Sequence, residues 1–248
     1  MKDEKLAVLI DADNVPYAHI KEMLDEISKY GNPTIKRIYA DWTKPTASGW
    51  KSVLLENAIT PIQQYSYTKG KNSSDSALII DAMDLLYSEK VNGFCIVSSD
   101  SDFTRLATRL REAGMFVIGI GEKKTPQPFI TACDKFIYIE ILKKSEKTDV
   151  AEKVSKKGKP QPESSSVSEI DKGLIKIIKE SVDEISDDSG WAFLGLLGSY
   201  LIKKRRDFDP RNYGFSKLYP LIKSIGEFEI EKRETGENNI RHIYLKNK

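Results

Sequence analysis

Cysteine and histidine are scarce in this chain. Its 248 residues hold two cysteines, Cys95 and Cys133, and two histidines, His19 and His242. They are widely separated and form no Cys-x-x-Cys pair, which argues against a zinc site. A disulfide framework is equally unsupported, and both cysteines read as buried thiols of a reducing compartment. Long apolar runs are missing too. No stretch approaches the roughly 18 uninterrupted apolar residues of a membrane span. The charged N-terminus lacks the apolar core of a secretion signal. The expectation is a soluble, cytoplasmic protein that does not engage membranes. Nor is there an excess of one charge: 39 basic and 37 acidic side chains leave +2. Such a chain does not bind polyanions by bulk charge, so any nucleic-acid affinity must come from local patches.

What is present is organised in two halves. Within residues 1–142, short apolar runs alternate with helical patterns. Strands are expected at Leu6–Ile10, Ile35–Tyr39, Ile59–Gln63, Phe94–Val97, Met115–Ile120 and Phe136–Ile141. Helices are expected at Pro16–Tyr30, Ala47–Asn57, Ser74–Ser88 and Phe103–Ala113. That alternation predicts an α/β domain built on a mostly parallel sheet. Residues 143–168 are rich in Lys, Ser, Glu and Pro and nearly lack large apolar side chains, the composition of a flexible linker. Residues 169–248 regain apolar periodicity. Three helical stripes, the last over Phe215–Ser224, precede two alternating segments, Glu227–Arg233 and Ile240–Leu245. Three helices followed by a β-hairpin is the order of a winged helix.

The aspartates fall where such a sheet binds ligands. Asp11 and Asp13 follow the first strand (VLIDADN), and Asp100 and Asp102 follow the fourth (CIVSSDSD). Open α/β sheets bind ligands at the carboxyl ends of strands, where the strand order reverses. If these two strands are neighbours there, Asp11 and Asp100 face one crevice. On the helix from Ser74, Asp75 shares the apolar stripe of Leu78, Ile79, Ala82, Leu85 and Leu86. Asp81 and Asp84 lie about 120° and 180° away from it and are expected in solvent. Carboxylates gathered this way repel one another unless a cation neutralises them. An all-oxygen set without His or Cys favours Mg²⁺ or Mn²⁺, and such an ion suits phosphodiester hydrolysis.

Blander roles compete at several positions. Asp102 could merely cap the following helix, Asp75 could be a helix N-terminal charge, and Asp13 and Asn14 could be turn residues. The loop Lys69-Gly70-Lys71 leads into the helix of Asp75 and could hold phosphate. Tyr65 and Tyr67 could stack on bases or pack at the loop edge. Trp42 and Trp50 serve equally as core or as substrate contacts. In the second half, Lys203, Lys204, Arg205 and Arg206 form a basic run at a helix end, with Arg211 and Lys217 nearby. They could bind RNA or simply offset the helix dipole.

Taken together, VLIDADN, KGKNSSDSALIIDAMD and CIVSSDSDF resemble, in order and spacing, the NYN domains of the PIN-like nuclease superfamily. The resemblance covers residues 5–142. It implies a PIN-like Rossmannoid three-layer sandwich with an acidic, metal-dependent site acting on RNA. It also implies an acidic set of Asp11, Asp75, Asp100 and Asp102, supported by Asn14 and Ser99. Residues 169–248, through WAFLGLLGSYL, DPRNYGFSKLYPLI and the terminal hairpin, resemble the LOTUS or OST-HTH winged-helix domain. That implies RNA binding or a protein partner. The resulting expectation is a ribonuclease in which Asp11, Asp75 and Asp100 ligate Mg²⁺ or Mn²⁺. Asp102 completes the set or positions water, Lys69 and Lys71 hold substrate phosphates, and the C-terminal domain captures RNA. Two other readings stay open: a non-catalytic RNA-binding adaptor, and a haloacid-dehalogenase-like phosphatase with Asp11 as nucleophile.

Overall fold

Six short, almost wholly apolar segments supply the strands of one parallel sheet. In the computed structural model, which describes residues 4–44, 49–65, 73–142, 168–235 and 240–248, they are β1 (Lys5–Asp11), β2 (Asn32–Ala40), β3 (Thr60–Gln63), β4 (Gly93–Val97), β5 (Phe116–Gly121) and β6 (Lys135–Tyr138). The order is β3-β2-β1-β4-β5-β6, and every pairing is parallel. The chain steps outward from β1 through β2 and β3. It then returns to the other side of β1 at β4, so the strand order reverses between β1 and β4.

Alternation along β1 divides the core into two layers. Ala7 and Leu9 pack with α3 (Ser73–Tyr87), α4 (Thr104–Glu112) and α5 (Gln127–Ala132). Leu6, Val8 and Ile10 pack with α1 (Ile20–Ile27), α2 (Trp50–Glu56) and α6 (Ile139–Leu142). Both faces of the sheet are covered, which is why the strands read as continuous apolar runs. The result is an α/β three-layer sandwich, as expected. Trp50 belongs to this core, and Trp42 is partly buried against it.

Three local readings need correction. The last strand stops at Tyr138, and Ile139–Leu142 turns into a short helix. Ile139, Ile141 and Leu142 are all buried against the α1 layer, and a short apolar run does not reveal its own period. The helix expected from Pro16 begins with a separate 3-10 turn at Tyr17–His19 and becomes α-helical only from Ile20. Asp81 is not solvated. Helix α3 lies over both β1 and β2, so the flank toward β2 is half-buried. There Asp81 accepts hydrogen bonds from the Arg37 guanidinium and the Tyr39 hydroxyl. Burial and the adjacent Asp81 charge push the Tyr39 phenol well above its ordinary range. Asp84 is exposed.

Contacts separate the chain into two compact units, Met1–Val154 and Ser155–Lys248. The expected linker lies outside the described residues up to Ser168. In the second unit Asp171 caps α7 (Lys172–Ile185) by accepting from the Leu174 amide at 2.7 Å. Helix α8 (Leu194–Lys204), a 3-10 turn (Pro210–Tyr213) and α9 (Leu218–Ile225) follow. The last helix starts three residues later than expected, because Gly214 (φ +85°) first turns the chain out of the 3-10 turn. Gly226 ends it in the left-handed conformation that glycine adopts without a Cβ clash. The hairpin β8 (Phe228–Thr235) and β9 (Ile240–Asn247) is extended by β7 (Ala192–Phe193), in the order β7-β9-β8.

Removing Asp81 should leave Arg37 and Tyr39 without their acceptor in a half-buried setting. Asp81→Ala is expected to lower unfolding free energy by about 1–3 kcal/mol. Urea unfolding measures this, and a change inside experimental error would show the cluster to be inert.

Candidate active site

The two strands at the switch point end in the same device. Asp11, the last residue of β1, caps a 3-10 turn over Ala12–Asn14, and its Oδ1 accepts from the Asp13 amide at 3.2 Å. Asp100, just beyond β4, caps a 3-10 turn over Ser101–Phe103, and its Oδ1 accepts from the Asp102 amide at 2.9 Å. Each Asp-x-Asp therefore folds back on itself through its first carboxylate. The fully buried Phe103 ring anchors the second turn in the core. Asp100, not Asp102, is the capping residue there, which leaves the exposed Asp102 carboxylate clear of the capping role.

Asp75 sits in the first turn of α3, buried on the stripe that faces the sheet. Asp75, Asp100 and Asp102 each offer an oxygen, and all three oxygens lie within 4.8 Å of one another. A single cation with oxygen ligands at about 2.0–2.6 Å can span such a set. Asp11 lies outside this group of three. It is 1% exposed, and its Oδ2 accepts from Asn14 Nδ2 at 2.7 Å and from Ser98 Oγ at 2.8 Å. Burial raises the Asp11 pKa while these donors oppose the rise. Burial, and then the charges of Asp11, Asp100, Asp102 and Asp13, push Asp75 up to about 6. The crevice thus concentrates negative charge around the buried Asp75.

Ser98, absent from the sequence-based set, is buried and ties the two strands together. It donates to Asp11, and its Oγ accepts from the Asp100 amide at 3.1 Å. Ser99, the expected partner, points elsewhere and accepts from the Glu122 amide at 2.9 Å, at the end of β5. Parity would have found the right serine. Phe94 and Ile96 line the same layer as Ala7 and Leu9, so Ser98 shares a face with Asp11 and Ser99 does not. Lys69, Lys71 and Tyr67 lie outside the described residues, and Tyr65 is exposed.

The chain belongs to the NYN domain family. Residues 5–140 match that family, and residues 165–240 match the OST-HTH/LOTUS domain. NYN is a nuclease domain and OST-HTH/LOTUS an RNA-binding one. No curated protein matches the chain. Among solved structures, it is similar to a protein of unknown function from Vibrio parahaemolyticus (21% identity over 55% of this chain and 93% of that one, TM-score 0.47). It is also similar to an uncharacterized protein from Nitrosomonas europaea (34% identity, 38% and 91% coverage, TM-score 0.30). A third is from Chromobacterium violaceum (28% identity, 34% and 87% coverage, TM-score 0.26).

In the OST-HTH/LOTUS unit the basic run is largely committed to its own carboxylates. Lys204 pairs with Glu184 at 2.6 Å and lies over the Tyr200 ring, and Arg205 pairs with Asp207 at 3.1 Å. Arg206 is also engaged, whereas Lys203 is exposed and forms no ion pair among the described residues. Arg211 forks onto Asp209, and Lys217 is exposed. Sequence reasoning did not single out the outer sheet face. There Arg233 lies over the Trp191 and Tyr244 rings, and Phe193 packs on Tyr244 and His242.

The raised Asp75 pKa has a signed consequence for the metal-free protein. The fold disfavours its ionised form, so its contribution to stability is complete below the ordinary carboxylate range. That contribution is lost as pH rises from about 4 through about 6. Unfolding free energy in EDTA should fall across that window, and the fall should shrink in Asp75→Asn. An unchanged slope in the variant would sink the assignment.

Proposed function

We propose that this NYN protein is a ribonuclease that hydrolyses phosphodiester bonds with the help of Mg²⁺ or Mn²⁺. The observation that carries the proposal is the convergence of Asp75, Asp100 and Asp102 within 4.8 Å at the switch point of the sheet. The donors fit a hard cation: all are carboxylate oxygens, and burial together with the neighbouring carboxylate charges raises the Asp75 pKa. When bound, such an ion polarises a phosphate oxygen and lowers the pKa of a water molecule.

The chain's own residues do the remaining work. Asp75, Asp100 and Asp102 would hold the ion. Asp102, the most exposed of the three, also orients the attacking water. Asp11, outside that group of three, adds its buried charge beside it, and three donors hold its carboxylate in place. Asn14 and Ser98 keep that carboxylate oriented, and Ser98 couples it to the turn that carries Asp100. Lys69 and Lys71 hold flanking phosphates, and the OST-HTH/LOTUS domain, through Lys203 and its neighbours, captures the RNA. The phosphatase alternative would need Asp11 as an attacking nucleophile, yet Asp11 is only 1% exposed, and that scheme gives Asp75 no role.

The test is cleavage of end-labelled single-stranded RNA, duplex RNA and single-stranded DNA, with Mg²⁺ or Mn²⁺ and with EDTA. Cutting of RNA that requires the metal and disappears in Asp100→Asn is the expected result. Binding without any cutting would favour the adaptor.

The two serines give a sharper comparison. Partners that orient metal-site carboxylates typically change affinity or activity by about 10–100-fold. Ser98→Ala should therefore lower activity by about that factor, with Ser99→Ala far milder. Equal effects from the two would contradict the role given to Ser98.

A further inference from the structure

A cleft of about 560 Å³ opens at the β3 edge of the NYN sheet, and none of the four aspartates lines it. Leu54 and Leu55 of α2, with Ile59 and Pro61 at and beside β3, form its floor, and Trp42 lines it. Lys44, Lys51 and Gln63 complete the lining. Leu55 is 80% exposed, so its side chain is accessible to a ligand in the cleft. Lys44 and Lys51 are exposed, and neither forms an ion pair among the described residues.

Topology places the charged part of this cleft at the functional end of the sheet. Helix α2 is the crossover between parallel strands β2 and β3, so it runs opposite to them. Its first residues, including Lys51, therefore start at the carboxyl end. Trp42 and Lys44 follow β2, and Gln63 ends β3, at that same end. Both lysines and the indole thus gather where β1 and β4 present their aspartates. Two strand spacings, roughly 10 Å, separate β3 from β1. The cleft lies in the α2 layer and Asp75 in the α3 layer, so a strand joining them crosses the carboxyl edge of the sheet.

The Trp42 ring is held in place. Its Nε1 donates to the Ile62 carbonyl at 2.9 Å, and its amide donates to Gln63 Oε1 at 3.0 Å. Gln63 Nε2 in turn donates to Asp41 Oδ1 at 3.2 Å. A fixed aromatic wall, aliphatic lining and two lysines without an ion pair among the described residues match a group with a flat apolar face and an anionic tether.

We infer that this cleft is a base-binding subsite. It takes one unstacked nucleobase of a single-stranded RNA a few nucleotides from the scissile bond, with Lys44 and Lys51 on the adjoining phosphates. The inference rests on the nuclease reading for its substrate. It adds a determinant that the carboxylates cannot supply: a preference for unpaired RNA at a set distance from the cut.

Binding of fluorescent single-stranded RNA to the full-length Asp100→Asn protein tests it, because no turnover is needed. A set of oligonucleotides, each carrying one abasic nucleotide, maps where a base matters. One position should weaken binding by about 5–150-fold, the range that loss of one base–aromatic stack produces. Adding Trp42→Ala or Leu55→Glu should erase that position-specific loss, while Trp42→Phe keeps most of it. Leu55→Glu guards against misfolding, since it alters only an exposed side chain. Lys44→Gln with Lys51→Gln should flatten the plot of log affinity against log salt by about 0.7 per lysine.

An abasic profile that is unchanged in both Trp42→Ala and Leu55→Glu would overturn the inference. So would a uniform loss at all positions. A dimer in sedimentation that Leu55→Glu dissociates, with the profile unchanged, would reassign the cleft to self-association. The two readings fail separately. Wild-type cutting with an unaltered profile removes only the subsite, and a position-specific loss without cutting by the wild type removes only the nuclease.

Discussion

Repulsion among carboxylates is the constraint around which the NYN domain is arranged. Two like charges about 4 Å apart oppose each other by about 4 kcal/mol at an effective dielectric constant near 20. A fold that gathers Asp75, Asp100 and Asp102 beside a buried Asp11 must hold them by other means. The sheet does so with covalent geometry and apolar burial. Asp11 and Asp100 leave adjacent strands whose side chains are almost entirely enclosed, and each is tied to the amide two residues on. The third partner arrives on a helix whose apolar stripe is committed to the same core. None of these elements can withdraw its carboxylate without exposing a layer of the sandwich.

That arrangement also explains why the donors around Asp11 matter. A buried carboxylate is tolerated when hydrogen bonds replace its lost hydration. Asn14, Ser98 and the Asp13 amide supply those bonds. Ser98 does so while binding the Asp100 amide, so one hydroxyl connects the two halves of the switch point. The buried carboxylate is thereby satisfied, and the three that converge beside it are Asp75, Asp100 and Asp102.

Much of this was legible in the residues. Apolar runs ending in Asp-x-Asp located two strand ends, and the period of the helix from Ser74 aimed Asp75 at the crevice. What escaped notice depended on neighbours. Asp81 looked solvated by helix geometry alone, but α3 overlies a second strand whose Arg37 and Tyr39 reach it. Ser98 and Ser99 are adjacent and chemically identical, and only the face shared with Asp11 separates them. The run Lys203–Arg206 looked like a free basic patch, yet Glu184 and Asp207 claim two of its members. Strand parity holds the record of the serine, whereas pairing across the fold decided the other two cases, and single-sequence periodicity carries no record of that.

The parity of the two central strands has a consequence for how such a site is inherited. Side chains on a strand alternate between layers, so adding or deleting one residue in β1 or β4 turns everything beyond it to the opposite face. Asp11 would then point into the α1 layer, and Asp100 would lose its shared serine. Exchange of one aliphatic residue for another inside these strands leaves that geometry alone. The quantity that the fold constrains is therefore a length, the count of residues from the start of each strand to its aspartate. The apolar side chains in between decide packing, and the count alone decides which way the carboxylates face.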